Sequence, residues 1–220
     1  MKFEDWGLTD YQKAWRNQEE IFNAVIQAKI AQQDTSDIET LVFCEHPHVY
    51  TLGKSGSESN LLVNEEFLKS KGATFVKIDR GGDITYHGPG QIVGYPILNL
   101  ENHNLSLKGY IYRMEESIIK TLEHYGIDGY RLDGATGVWL DIDTDKARKI
   151  CAVGVKASRF VTMHGFALNV NTNLDYFNFI NPCGFTTKGV TSMAKELGRK
   201  IDIEEVKSIL RTNFFEITNL

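Results

Sequence analysis

The sequence predicts an α+β fold, a mixed β-sheet with helices packed against it. Short segments rich in β-branched and aromatic residues cluster around residue 90 and again between residues 135 and 170. Two longer segments instead carry apolar residues at helical spacing. In the second half the strand segments follow one another through tight turns. A regular βαβ repeat would separate them with helices.

The elements are predicted in order. A first helix starts at Thr9, with Gln12 completing a capping box, and Tyr11, Trp15, Phe22, Val25, Ile26 and Ile30 form its stripe. After the polar loop "QQDTSD", the segments "TLVFC" and "VYTLG" read as strands separated by His46-Pro47-His48. "NEEFLKSKG" reads as a short helix capped by Asn64 and stopped by Gly72. "TFVKI" and "QIVGYPIL" are strands on either side of a glycine-rich loop, Arg80 to Gln91. Ser106 opens a second long helix, with Leu107, Tyr110, Ile111, Met114, Ile118, Leu122 and Tyr125 on one side and Gly126 at its end. "GVWLDI", "KICAVGVKA" and "FVTMHGFALNV" are strands, and "LDYFNFI" is a short helix before Asn181-Pro182-Cys183-Gly184. Asp202 with Glu205 caps a last helix carrying Val206, Ile209 and Leu210. The pattern has no repeat and no linker. It predicts one domain over residues 1–220, with the portion from about residue 185 a candidate small subdomain.

Composition narrows the function classes. Of 220 residues, 42% are hydrophobic and 24% charged, the profile of a globular chain with a real core. The net charge of −5 argues against a protein that mainly grips nucleic acid. No apolar run is long enough to span a membrane, and the N-terminus "MKFEDWGLTD" lacks the pattern of a secretory or transit signal, so a cytoplasmic location is expected. Three cysteines without a CxxC motif point away from a disulfide framework or a structural zinc site. His46-x-His48 has no third ligand at recognisable spacing and reads as a turn, so no metal is expected.

The loop "RGGDITYHGPGQ" tests first as a phosphate cradle. The sole "GKS", Gly53-Lys54-Ser55, has His48 where a P-loop needs its first glycine. Gly88 and Gly90 are followed by Gly94, one residue too late for a dinucleotide fingerprint, and a strand containing Pro96 follows where a helix should open. Arg80, Asp83, Thr85, Tyr86 and His87 instead place charge and hydrogen-bonding groups among glycines that permit close backbone approach, as a rigid binding wall requires.

Among the cysteines, Cys44 ends the apolar run "LVFC" and Cys151 lies within "ICAVGV", so both read as core. Cys183 sits between Pro182 and Gly184 in a turn, where a thiol can be presented. A thiol needs a nearby base or cation to act as thiolate. His87, His164, Lys149 and Lys156 are the candidates that residue spacing leaves open.

Together, "RGGDITYHGPGQIVGYPILNL", "KICAVGVKASRFVTMHGFALNVNTNL" and "INPCG", with "HPHVYTLGKSG", resemble the lipoyl(octanoyl) transferases from about residue 40 to 195. The resemblance implies a fold shared with lipoate and biotin protein ligases. It implies transfer of an octanoyl group from octanoyl-acyl carrier protein to a lysine of a lipoyl domain, through a thioester on the enzyme and without a cofactor. The acceptors implied are lipoyl domains of 2-oxoacid dehydrogenase complexes and the glycine cleavage H protein. The family's acyl-thioester cysteine falls on Cys183 and its thiol-activating lysine on Lys149, at the start of "KICAVG", with Lys156 the lesser partner. The substrate-binding segments fall on Arg80, Gly81, Gly82, Asp83, Ile84, Thr85, Tyr86 and His87, on Ala152, Val153 and Gly154, and on Gly165, Phe166 and Ala167. Two rivals remain. One is a lipoate–protein ligase of the same fold, which uses ATP. The other is a non-catalytic acyl-binding protein, which needs neither Cys183 nor Lys149. An acidic carrier meeting an acidic chain would need a local basic surface, for which Arg148, Lys156, Arg159, Lys195, Arg199 and Lys200 are candidates.

Overall fold

The structure is a computed structural model that describes residues 1–181 and 189–218. The elements run β1 (Lys2–Leu8), α1 (Tyr11–Ile30), β2 (Thr40–Glu45), β3 (Val49–Leu52), α2 (Glu65–Ser70), β4 (Thr74–Lys77), β5 (Ile84–His87), β6 (Gln91–Ile97), α3 (Leu107–His124), β7 (Tyr130–Leu132), β8 (Ala135–Leu140), β9 (Arg148–Ser158), β10 (Val161–Asn169), β11 (Gly189–Val190), α4 (Met193–Leu197) and α5 (Ile203–Thr218). The large sheet has the order β1-β2-β6-β10-β9-β8-β7, with β11 beside β9, and a separate small sheet has the order β4-β3-β5. Parallel and antiparallel pairs both occur, which makes the fold α+β as expected.

Helices cover both faces of the large sheet. On one face, Tyr110, Met114, Ile118 and Leu122 of α3 and Val206, Leu210 and Phe214 of α5 share a core with Leu41, Phe43, Ile92 and Leu168. On the other, α1 lays Ala14 against Val42, Val93 and Tyr95, and Phe22 and Val25 against Ile97 and Met163. Each strand therefore alternates between two apolar environments, which is why β2, β6 and β10 are buried almost throughout. Among the described residues, no helix is long and apolar enough to cross a membrane.

Several expectations need correction. The N-cap of α1 is Asp10, whose carboxylate receives Lys13 N–H at 3.0 Å. The Thr9 hydroxyl donates to the Trp6 carbonyl and so is not at the helix end. Of the predicted stripe on α1, Ile30 points to solvent. β1 has no sequence signal, because its charged residues suit an exposed sheet edge. A third of the glycine-rich loop is itself a strand, β5, and it belongs to the small sheet. The segments "TFVKI" and "QIVGYPIL" accordingly stand in different sheets. "LDYFNFI" forms a 3-10 helix over Leu174–Phe179.

The α3–α5 contact closes the core, and Phe214 is fully buried in it. Phe214→Ala should destabilise the protein by about 3–5 kcal/mol, the usual cost of emptying a buried aromatic site. A urea unfolding curve of the full chain checks this through a lower midpoint at unchanged slope.

Candidate active site

A cavity of about 350 Å³ lies between β5 of the small sheet and the central strands β6, β10 and β9. The register of these three strands gives its floor an ordered set of rows. Gln91 faces Asn169 in the first row, and Val93, Ala167 and Ala152 align in the second. Gly165 aligns with Gly154 in the third, beside Tyr95. All of these residues line the cavity. Their counterparts two residues further on, Ile97, Met163 and Lys156, do not line it, and Phe22 and Val25 of α1 cover Ile97 and Met163 instead.

The third row is glycine for a steric reason. A Cβ on Gly165 would strike the Gly94 carbonyl of the neighbouring strand. A Cβ on Gly154 would sit 3.0 Å from the Gly81 carbonyl oxygen. That closeness lets the loop before β5 fold down onto β9, where Gly81 N–H donates to the Val155 carbonyl at 3.0 Å. The loop is held from behind by Gly53, Lys54 and Ser55, whose amides donate to the carbonyls of Asp83, Arg80 and Gly82. These amides are therefore spent on the protein's own backbone, in keeping with the failed phosphate reading. Arg80 is 8% exposed, and its guanidinium donates to the Thr51 carbonyl and hydroxyl at 2.8 and 3.0 Å.

Lys149 reaches the same cavity through an irregularity in β9. Val138 pairs with Cys151 but Trp139 pairs with Lys149, so β9 carries one extra residue, Ile150. A bulge of this kind reverses the alternation of side chains. Ile150 and Cys151 both enter the helix-side core, while Lys149 turns to the cavity face with its ammonium 4.6 Å from the centre of the Trp139 ring. The chain returns beside it: Val190 pairs with Lys149, Gly189 N–H donates to Ala147 O, and Thr191 N–H donates to Lys149 O. Asn169 Nδ2 holds the Thr191 carbonyl at 3.0 Å, and Gln91 Nε2 donates to Asn169 Oδ1 at 2.9 Å.

The histidines occupy distinct places. His46 is fully buried, with Tyr95 Oη 2.7 Å from Nε2 and Thr9 O 2.6 Å from Nδ1. Burial pushes its pKa down to about 4. His87 lies against Gln91 Oε1 at 2.8 Å and under the Tyr11 ring, and burial followed by the neighbouring His46 lowers its pKa to about 3. A group that holds a proton so weakly is a poor acceptor for one from an ammonium, which counts against His87 as a base. His164 has a left-handed backbone, φ 61°, unusual for a residue with a Cβ. Gln18 Oε1 receives its amide at 3.1 Å, and its Nε2 lies 2.9 Å from Asp79 Oδ1. Lys156 pairs with the other oxygen of Asp79. Burial lowers the His164 pKa against the opposing pull of Asp79, so the ring is neutral with its Nε2 proton donated to the carboxylate.

Most predicted site residues meet here. Lys149 lines the cavity, as do Arg80, Gly82, Asp83, Ile84, Thr85, His87, Ala152, Val153, Gly154, Gly165, Phe166 and Ala167. Gly81 and Tyr86 do not. Gly81 is the stitch to β9, and Tyr86 alternates to the opposite face of β5, against Tyr50, Tyr176 and Phe177. Cys183 lies outside the described residues. Cys44 and Cys151 are buried, which raises both thiol pKa values strongly and suits core roles. Tyr11, Gln91, Tyr95, Trp139, Asn169 and Phe177 also line the cavity and were missed as site residues, and His164, considered only as a partner for the thiol, lines it too. Gln91, His164 and Asn169 had a usable signal, since each is a polar residue inside an otherwise apolar strand. Of the basic residues considered for docking, Arg148 is engaged by Glu196 and Asp141, and Lys156 by Asp79, whereas Arg159, Lys195, Arg199 and Lys200 are exposed.

Comparison with known proteins places this geometry. The family model of the lipoyl protein ligase A/B catalytic domain matches residues 10–215. The chain belongs to this family and, within it, to the octanoyltransferases. It is 59% identical over 206 residues to the octanoyltransferase of Bacteroides fragilis strain YCH46, covering 94% of this chain and 92% of that one. It is 53% identical over 215 residues to the octanoyltransferase of Bacteroides thetaiotaomicron, covering 98% and 94%. Among solved structures it resembles the bipartite lipoate protein ligase of Thermoplasma acidophilum, with a TM-score of 0.71 at 16% identity, covering 99% of this chain and 83% of that one. It also resembles a lipoate-protein ligase A bound with ATP, with a TM-score of 0.70 at 16% identity, covering 99% and 85%. At that identity the structural likeness concerns the fold.

Of the three buried histidines, His46 and His87 make stability depend most clearly on pH. Their folded pKa values, about 4 and about 3, lie below the unfolded value, so unfolding takes up protons as the pH falls from about 6.5. Their contribution is fully present above pH 6.5 and is lost as the pH falls to about 4 for His46 and about 3 for His87. Urea unfolding at pH 7, 5.5 and 4.5 should show stability falling by on the order of 1 kcal/mol per pH unit for each histidine, and a shallower fall in His46→Gln.

Proposed function

We propose that this protein transfers an octanoyl group from octanoyl-acyl carrier protein to a lysine of lipoyl domains, by way of a thioester on Cys183. The observation that carries the reading is Lys149, which a bulge turns into an elongated cavity with an apolar middle, next to the strand where the chain returns from residues 182–188. The acceptors are the lipoyl domains of 2-oxoacid dehydrogenase complexes and the glycine cleavage H protein, and the reaction belongs in the cytoplasm.

In this mechanism Lys149 takes the Cys183 proton and, as ammonium, stabilises the thiolate. The thiolate attacks the thioester carbonyl. The bond to the carrier sulfur breaks, that sulfur takes the Lys149 proton, and the octanoyl group remains on Cys183. Exchange of one thioester for another is nearly balanced in energy. The acceptor amine then attacks the enzyme thioester, its proton passes to the now neutral Lys149, and the Cys183 sulfur leaves. A thioester has become an amide, which is downhill, so ATP is not needed. The aliphatic tail lies over Val93, Ala167 and Ala152, where small side chains leave room and Phe166 and Trp139 supply apolar wall. The exposed Arg159, Lys195, Arg199 and Lys200 are the remaining candidates for meeting an acidic carrier.

Incubation with octanoyl carrier protein without ATP, followed by intact mass measurement, should show a gain of one octanoyl group that Cys183→Ser lacks. No adduct, together with no transfer to a lipoyl domain, sinks the proposal. Lys149→Met, which keeps the apolar stem over Trp139, should slow adduct formation by about a hundredfold or more, the usual reach of proton-transfer and charge assistance.

A further inference from the structure

We propose that His164 is the length gauge of the acyl cavity, closing it to chains longer than its floor. The inference rests on the transfer reading above, because that reading puts the thioester beside Lys149. From the first floor row to the third is four residues along a strand, or about 13 Å. An extended octanoyl group measures about 9 Å from its carbonyl to its methyl carbon, by ordinary bond geometry. A chain attached near Lys149 therefore crosses the Val93–Ala167–Ala152 row and ends about 4 Å short of the glycine row, Gly165 and Gly154, and the four further methylenes of a dodecanoyl chain, about 5 Å, carry its methyl end past that row.

The cavity stops there for identifiable reasons. The fourth row does not line it, because α1 crosses the sheet at Ile97 and Met163. At the crossing, the left-handed backbone of His164 breaks the alternation of β10, and its imidazole becomes part of the cavity wall. In a regular strand, the parity that sends Phe166 and Leu168 into the helix-side core would send residue 164 there too. Three contacts hold the ring in its unusual place: Gln18 on its amide, Asp79 on Nε2, and Lys156 on the far oxygen of Asp79. A strained backbone conformation costs on the order of 1 kcal/mol and persists where the surroundings enforce it, and such positions cluster at functional sites. The wall that results, His164 with Arg80 and Tyr11, is polar. The methyl end of a longer chain would have to press against it, or displace the ring and the Asp79–Lys156 pair that holds it.

His164→Gly tests this and suits the fold, since glycine adopts φ 61° freely while the imidazole is removed. Rates of thiol acylation from octanoyl and dodecanoyl carrier protein are measured by intact mass for the wild type and the variant. The dodecanoyl-to-octanoyl rate ratio should rise by about tenfold, the factor that burying the two carbons beyond the glycine row supplies. A rise of less than threefold overturns the gauge and leaves the transfer reading intact. If His164→Gly fails to fold, His164→Asn replaces it, being shorter than histidine and tolerant of the left-handed backbone. The same threefold threshold then decides. A wild type that accepts neither chain overturns the transfer reading, and the gauge with it.

Discussion

The antiparallel register of β6, β10 and β9 is the constraint on which the rest depends. It aligns Gln91 with Asn169, Val93 with Ala167 and Ala152, and Gly165 with Gly154, so one face of three strands becomes a graded floor. Polar groups stand at one end, small apolar groups in the middle and bare backbone at the other. A slip of one residue in any of the three strands would exchange floor for core and erase the gradient. The steric fit at Gly165 helps prevent such a slip, because only glycine fits against the Gly94 carbonyl.

That floor also explains how a small second sheet becomes part of the site. The loop before β5 can descend onto β9 only where β9 lacks a side chain, at Gly154. Gly81 then stitches the two sheets together, and Gly53 to Ser55 support the loop from behind. The buried network of Arg80 and Thr51 fixes the loop from the small-sheet side. In this way a seam between two sheets, which would otherwise need filling with side chains, stays open as a cavity.

Much of this was legible in the sequence, for physical reasons that differ by element. α3 announced itself because Tyr110, Met114, Ile118 and Leu122 repeat at the helical period against a buried face. The Arg80 to His87 segment was legible because charged and hydrogen-bonding residues stand among its glycines, whereas Ala152 to Gly154 and Gly165 to Ala167 were legible only through the family resemblance. β1 was missed because an exposed edge strand needs no apolar alternation. The Thr9 cap was misplaced because two adjacent residues could each cap α1, and the contact with Trp6 decided between them. Trp139 and Tyr11 were missed because their membership in the site follows from strand register and from the packing of α1, and neither is written in spacing. Tyr86 failed as a lining residue because its ring turns into the cluster of Tyr50, Tyr176 and Phe177.

The extra residue in β9 has a wider meaning. With Ile150 inserted, the strand carries two alternation patterns in different phase on either side of one position. The run from Ala152 to Lys156 is phased to the floor, and Lys149 is phased independently of it. Side chains on the floor can thus be exchanged to fit another tail while the lysine keeps its aim, and the lysine's surroundings can change without disturbing the floor. One irregular residue makes the grip on the tail and the reacting end of the cavity separately adjustable parts of a single strand.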